Sequence, residues 1–549
     1  MNTKAKNDDK AGGFWRGSIE SLVVAVVMAL FIKQFALEAF EVPTESMEPT
    51  IIGRSSGGYR LIANKFVYQV REPRRWEVAI FQYPLNRLVN YVKRIVGMPD
   101  EWLFIRNGDV FTAPSDLDRD AALAAAKVQR KPKNVQDRLF DRSNCVPAQD
   151  RGLDKFRQYW TMGDGDRGTG TLQVRAEDEV VGFKSPNGLT LVDFQRPDRF
   201  RVRNGIETPV LSNRRFDDFS PVAEPRNEIL LMLGFAGPSQ GTGPQPGHEA
   251  EVGDLRLALE VRPEKDAWTV LEIRDGTMPK PIRLELATEG ASEGSRLWLG
   301  DEEITVDARL EVDSWTEVRL TNVDDTVYVE VDGDVVLRKE YEHAPIAVVN
   351  PVRSESQTEP PPTPYEPPPV QPTHDLPYDN GVSFGCRSGG VEVREVELAR
   401  DIYYSYSGAT DFLIPEGHYL MLGDNSPDSL DGRGWERADM KYKTESGEVI
   451  VMSGDFQGVG AEGRHHEGPP EQRAIRPMKN PFDNDTRFLD VYGNTRTIDP
   501  DRIVRVPRPG NPEELVAVET HYDHFVPRQY IQGRAYVVFW PLLQIGLIR

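Results

Sequence analysis

Cysteine is almost absent from this chain of 549 residues, which holds only Cys145 and Cys386. A disulfide-stapled scaffold and a thiolate metal framework are thereby excluded; one long-range pairing, or two separate thiols, remain. An excess of positive charge is absent too. Lys and Arg number 66 against 87 Asp and Glu, a formal charge of −21, whereas nucleic-acid binding needs a basic face. The 8 histidines compose neither an H-E-x-x-H nor a catalytic-triad signature. With no cysteines beside them, His465, His466, His521 and His524 read as solvated loop residues. The acidic turns lack a complete EF-hand spacing. No metal, no other cofactor and no nucleic-acid partner is therefore expected. A chain with 42 Pro and 46 Gly at this length exceeds one compact core and implies several loop-rich domains.

Long apolar runs are lacking as well. The most apolar one, SLVVAVVMALFI at 21–32, falls short of the about 20 residues that a membrane span needs. Lys33 is able to snorkel, however, and apolar character resumes through Phe40, so residues 18–40 read as a single transmembrane helix. Lys4, Lys6, Lys10 and Arg16 outweigh Asp8 and Asp9, which puts residues 1–17 in the cytoplasm and the rest of the chain outside it. The rival is a cleaved signal peptide, but Ala36 and Ala39 have the wrong spacing for its small-x-small site.

What the chain does have is β patterning. Residues 41–112 contain the strand-like runs YRLIANKFVY, WEVAIFQYP, YVKRIVGM and EWLFIRNGDVF. Residues 119–135 read as a charged, Ala-rich helix. Farther on, LRLALEV (255–261) alternates, TVYVEVDGDVVL (326–337) is a strand, an Asp332-Gly333 turn and a return strand, and 381–398 holds two more strands. A Pro-rich loop, 351–378, cannot join a sheet. The fold class is mainly β: antiparallel strands interrupted by a jelly-roll-like β-sandwich over about 185–400, ending in the strand-like run YIQGRAYVVFW.

One serine stands out. In FEVPTESMEPTI, Ser46 lies between Pro43 and Pro49, just beyond the apolar segment. Stiff backbone there suits a poised nucleophile, and equally an ordinary turn. An alcohol needs a base, and Lys93 in NYVKRIVGM is led by its apolar neighbours toward a hydrophobic wall. An ordinary lysine is neutral at pH 7 in about 1 part in 2,500, a handicap of about 4.6 kcal/mol. Burial is the force that removes it. Ser429 in GDNSPDSLDGR is a hydroxyl able to orient such an amine. On these residues alone, plain surface or strand roles stay open for all three.

Taken in order, FEVPTESMEPTI, RRWEVAIF, YVKRIVGMPDE and GDNSPDSLDGR, with the closing VPRQYIQGRAYVVFWP, resemble the sequence boxes of bacterial type I signal peptidase. The resemblance covers about residues 15–112, 402–435 and 525–549. It implies that Ser46 is the acyl-forming nucleophile, Lys93 the general base and Ser429 the hydroxyl that orients the lysine. Thr44 and the Ser46 N–H would form the oxyanion hole, Asp431 and Arg433 a structural ion pair, and Arg94 and Asp424 supporting positions. Val42, Pro43, Tyr91 and Val92 would line a groove where an extended substrate adds a strand. Two departures bear on local turn geometry: Trp76-Glu77 and Asp100-Glu101 stand where Gly-Asp is usual.

The implied catalytic domain is split into 41–112, 402–435 and 526–549 by insertions at 113–401 and 436–525. Within the first insertion the strand pattern resembles a concanavalin- or laminin-G-like domain. The function implied is a membrane-anchored serine endopeptidase that removes signal peptides from secreted preproteins after small-x-small sites. It would sit single-pass in the cytoplasmic (inner) membrane, its catalytic domain on the outer, periplasmic face. Preproteins and membrane lipid are the expected partners, with a cell-envelope glycan as a further one for the inserted domain. The competing expectation is a catalytically silent anchor that presents the sandwich to glycans.

Overall fold

The computed structural model describes residues 19, 21–28, 37–53, 58–140, 156–175, 177, 179–194, 200–203, 206–209, 252–343, 345, 380–404, 409–426, 429–455, 486–508, 511–516, 519–540 and 545–548. Its organising element is an eight-stranded antiparallel sheet. Four of the strands come early: β1 (Leu37–Glu41), β2 (Arg60–Asn64), β3 (Val78–Tyr83) and β4 (Asn86–Gly97). Across the sheet the order is β1, β2, the strand Ile531–Trp540, β3, β4, the strand His418–Leu422 and Phe525–Pro527, with Gly546–Leu547 attached to Ile531–Trp540. The C-terminal strand thus slots between β2 and β3. The sheet closes only after both insertions have been passed.

The sequence of β3, VAIFQY, explains its central place. Val78 and Ile80 pack into one hydrophobic cluster with Leu61, Ala535 and Val538. Ala79, Phe81 and Tyr83 point the other way, into a cluster with Ile95, Met421 and Trp435. A strand buried on both faces reads as an unbroken apolar run for this reason. Next to it a four-stranded sheet joins Asp411–Ile414, β5 (Glu101–Arg106), β6 (Asp109–Pro114) and Lys127–Val128.

The first insertion is a sandwich of two seven-stranded antiparallel sheets around one large core. Its Asp332-Gly333 turn is formed as expected: both residues have positive φ, 48° and 83°, which suits the tight turn of a twisted hairpin. The sandwich begins earlier than the sequence suggested. Trp160–Met162, Thr171–Arg175 and Val180–Ser185 already belong to its sheets; the Gly-rich turn residues between these short strands hide them from a periodicity reading. The second insertion carries a three-stranded sheet, Val449–Asp455, Glu436–Lys443 and Glu519–Tyr522, and two hairpins.

Three other expectations are corrected. The stretch 119–135 is not one helix. Arg119–Ala125 is capped by Asp118, Lys127–Val128 is strand, and a second helix runs Lys133–Phe140. Pro132, with no N–H to give, fits only the start of a helix, and its carbonyl receives the Val135 and Gln136 amides. The expected anchor, 18–40, stops short: Leu37–Glu41 is β1, paired with β2 from Leu37↔Asn64 to Glu41↔Arg60, so the apolar residues resuming there serve the sheet. Residues 21–28 are helical with exposed apolar side chains, and among the described residues no helix is long and apolar enough to cross a membrane. Finally, His521 and His524 depart from solvated loop residues in one respect each: His521 is exposed but sits on the strand Glu519–Tyr522, and His524 lies in a loop but is half-buried. His521 Nε2 lies 2.8 Å from an Asp439 carboxylate oxygen, and His524 Nδ1 lies 2.5 Å from the Gly432 carbonyl. Cys386 is a buried free thiol, pushed up to about 12 by burial. Cys145, the Pro-rich loop 351–378, His465 and His466 lie outside the described residues.

Candidate active site

Ser46 stands on a turn that directly follows β1. Val42, Met47, Ile51 and Ile52 are buried on either side of it, each contributing about 1.5–3 kcal/mol of burial. The Ile51 amide donates to the Met47 carbonyl at 2.9 Å and the Val42 amide to Tyr59 at 3.1 Å. Gly53 admits no side chain, because a Cβ there would come 2.5 Å from the Thr44 carbonyl oxygen. The serine is therefore held by packing before any catalytic contact is counted.

Lys93 comes from β4, opposite Ala79 of β3. Its Nζ lies 2.5 Å from Ser46 Oγ and 3.0 Å from Ser429 Oγ, and Thr44 Oγ1 is 3.3 Å from Ser46 Oγ. The lysine is only 3% exposed. Burial pushes its ammonium down to about 8; the Asp431 and Asp424 charges oppose that shift and Arg433 reinforces it. At that value about one lysine in ten is neutral at pH 7, against about one in 2,500 ordinarily. Desolvation is the dominant cause, as in other buried amines.

The segment bearing Ser429 is built around an ion pair. Arg433 donates through Nε and Nη2 to Asp431 at 2.8 and 2.7 Å, through Nη1 to Ser426 Oγ at 2.6 Å and through Nη2 to the Ser426 carbonyl at 2.9 Å. Burial pushes the Asp431 carboxyl up. The Arg433 charge and hydrogen bond, joined by the Lys93 charge and the Gly423 amide, outweigh it and hold the group below the usual carboxylate range. Asn425 ties the segment to the serine turn, its backbone N–H reaching the Ser46 carbonyl and its side chain the Glu45 carbonyl, both at 3.2 Å.

Arg94 and Asp424 form a second buried pair, at 2.7 and 2.6 Å, with Thr50 donating to Asp424 and Arg94 reaching the Trp76 carbonyl at 2.7 Å. Of the four groove residues, Val42 is buried, Tyr91 and Val92 half-buried and Pro43 exposed. On the side of β4 away from β3, the strand His418–Leu422 pairs only from Gly97 to Arg94. Among the described residues no strand pairs with Val89–Val92 on that side.

Thr50, Gly423, Asn425 and Ser426 belong to this site and were missed in the sequence. All four lie inside the quoted boxes, but only backbone proximity distinguishes them from filler. A Cβ at Gly423 would come 2.1 Å from Ser429 Oγ and 2.4 Å from the Ser46 carbonyl oxygen. Elsewhere Asp109, Asp254 and Asp324 bring carboxylate oxygens within 4.8 Å of one another, the geometry of a cation site, yet Lys131 already pairs with Asp324 there and with Asp401 at 2.7 Å.

In sequence the chain matches the family described as signal peptidase, peptidase S26, over residues 15–167. It is 30% identical over 179 residues to a probable signal peptidase I-2 of Synechocystis sp., covering 32% of this chain and 78% of that one. It is 30% identical over 148 residues to signal peptidase I S of Bacillus subtilis (27% and 72%), and 34% over 163 residues to signal peptidase I of Pseudomonas fluorescens (26% and 57%). In structure, a carbohydrate binding module, CBM66, from Bacillus subtilis aligns over 44% of this chain and 94% of its own, at 5% identity and a TM-score of 0.22. Matches at this identity, over more than two thirds of two of these relatives, settle the family: the chain belongs to the signal peptidase I family, peptidase S26, and is a hydrolase of the serine peptidase class.

Proposed function

We propose that this protein removes N-terminal signal peptides from exported preproteins with a Ser46–Lys93 dyad. The observation that carries the reading is the Lys93 Nζ to Ser46 Oγ distance of 2.5 Å, at a lysine shielded from water. Neutral Lys93 takes the Ser46 proton as Oγ attacks the scissile carbonyl, then returns it to the leaving amine, and later deprotonates the water that releases the acyl group. Ser429 orients the amine. Thr44 Oγ1 and the Ser46 N–H receive the oxyanion, a pre-set pair of donors where charge develops. Asp431–Arg433 and Arg94–Asp424 hold the two segments in place. Pro43 and the open edge of β4 at Tyr91 and Val92 take the substrate as an added strand, with small pockets that select small-x-small sites.

The exposed apolar helix at 21–28, which precedes β1 in the chain, supports a membrane anchor. Residues 1–17 then face the cytoplasm, and the catalytic parts 41–112, 402–435 and 526–549 lie on the outer face of the cytoplasmic membrane. A catalytically silent glycan-presenting anchor is not favoured, since it has no use for a lysine buried against a serine. The test is cleavage of a preprotein by the full chain in detergent. Ser46→Ala and Lys93→Ala are expected to abolish cleavage, and Thr44→Val to lower kcat about 100-fold. Cleavage by both dyad variants at the wild-type rate overturns the mechanism.

A further inference from the structure

We propose that the second insertion is a length gauge for the substrate strand: its hairpin Thr486–Ile498 stands across the far end of the β4 edge and limits the segment that can lie there to about five residues. The inference rests on the proposed dyad and on β4 as the substrate edge. At the dyad end, pairing with the strand His418–Leu422 stops at Arg94. At the other end, the register of β3 with β4 jumps from Gln82↔Asn90 to Tyr83↔Asn86, so Arg87, Leu88 and Val89 bulge away from β3. The hairpin meets β4 there. The Arg87 amide donates to the Val491 carbonyl at 2.9 Å, a backbone contact of the kind an added strand would make. The Arg87 guanidinium lies against two rings, with Tyr492 and Tyr530 each 4.8 Å away. Gly493, at φ +79°, lies so close to Leu88 that a Cβ would come 2.2 Å from its Cδ1.

The hairpin is itself braced. The Val491 amide donates to the Ser453 carbonyl at 2.9 Å, and Gly454 bridges to Asp490. The Asp490 carboxylate accepts the Tyr492 and Asn494 amides at 3.0 and 2.8 Å. The sheet beneath it is tied to β3, where the Tyr83 hydroxyl donates to Asp455 at 3.1 Å. Between Arg94 and Leu88 lie Val89–Lys93, which at about 3.3 Å per residue is an open edge of about 17 Å. A longer paired segment meets the Val491 carbonyl and must turn off the sheet. One flank of the scissile bond is therefore measured in residues, in addition to being read by side chain.

The test is a peptide ladder around one small-x-small site, lengthened residue by residue on either flank with uncharged residues and cleaved by the full chain in detergent. Wild type is expected to show, on one flank only, a rise in kcat/KM that stops at about five residues. Gly493→Val, which strains the hairpin turn at φ +79° and crowds Leu88, and the milder Tyr492→Ala are expected to move that break outward by two residues or more. A wild-type ladder with no break, or a break unmoved in both variants, overturns the gauge while leaving the peptidase reading intact. Absence of cleavage at every length, with Ser46→Ala indistinguishable from wild type, overturns both.

Discussion

In the proposed dyad, Lys93 serves as a base only because the fold makes its charge uncomfortable. Its pKa of about 8 in the folded chain lies below the ordinary 10.5, and burial is the main cause. Below about pH 8 both folded and unfolded chains bind the proton, and the buried charge costs about 3 kcal/mol at 1.36 kcal/mol per pH unit. Between about 8 and 10.5 only the unfolded chain binds it, so the contribution of this residue to stability rises with pH across that window. Lys93→Met is therefore expected to be inactive yet more stable than wild type at pH 7. The gain should be about 1–2 kcal/mol once the lost hydrogen bonds to Ser46 and Ser429 are subtracted, and it should vanish by about pH 10.5. Thermal unfolding of both proteins across pH measures it. In wild type the same titration makes kcat/KM fall as pH drops below about 8; a flat profile down to pH 5 contradicts a lysine base. The residue types of the proposed dyad were legible in the sequence. Their distance was not, because Ser46, Lys93 and Ser429 are brought together by a turn, a strand and a loop from distant parts of the chain.

At the scale of elements, close approach decides. The segment after Leu422 passes so near the serine turn that Gly423 has no room for a methyl group. Gly423→Ala has to displace either Ser429 Oγ or the Ser46 carbonyl, and a shift of that order at a reacting centre costs about 100-fold. The expected result is such a loss in kcat/KM with an unchanged far-ultraviolet circular dichroism spectrum; near-normal activity contradicts the packing described. Trp76 and Asp100, the residues that depart from the usual glycines, have positive φ, 72° and 60°, the conformation glycine adopts freely. A side chain at such a backbone costs about 1–2 kcal/mol. Trp76 offsets this by burying its ring, donating Nε1–H to the Arg130 carbonyl at 3.1 Å and lying 5.0 Å from Lys131 Nζ. The departure thus falls where the first insertion grips the catalytic sheet. Strands such as β3 were legible because β-branched and aromatic residues cluster in them. The break at Pro132 was written in the sequence too, but the Ala-rich composition on one side masked it.

At the scale of the whole molecule, one eight-stranded sheet is interrupted twice along the chain, and that much follows from the order of the sequence boxes. How the sandwich is seated does not, because its joint gathers single acids from four distant places. Asp109 of β6 meets Asp254 and Asp324 of the sandwich, with Asp401 beside them. A single Lys131 pairs with both Asp324 and Asp401, and His343 lies 2.5 Å from Asp325. One lysine and one histidine do not balance these carboxyls. Asp109 and Asp254 are pushed well above the ordinary carboxylate range, first by burial and then by their acidic neighbours. The folded chain therefore holds protons there that the unfolded chain releases. The stability this provides is complete below the ordinary carboxylate pKa and is lost as pH rises through the raised one. Asp109→Asn fixes the neutral form and is expected to raise the unfolding temperature at pH 8, with no gain at pH 3. Asp324→Asn instead removes a partner from the buried Lys131 and should destabilise the chain by about 3–5 kcal/mol. Opposite signs from two Asp→Asn changes within 4.8 Å identify an electrostatic joint. If both variants destabilise alike at every pH, the acids are hydrogen-bonding structure and the joint does not respond to protons.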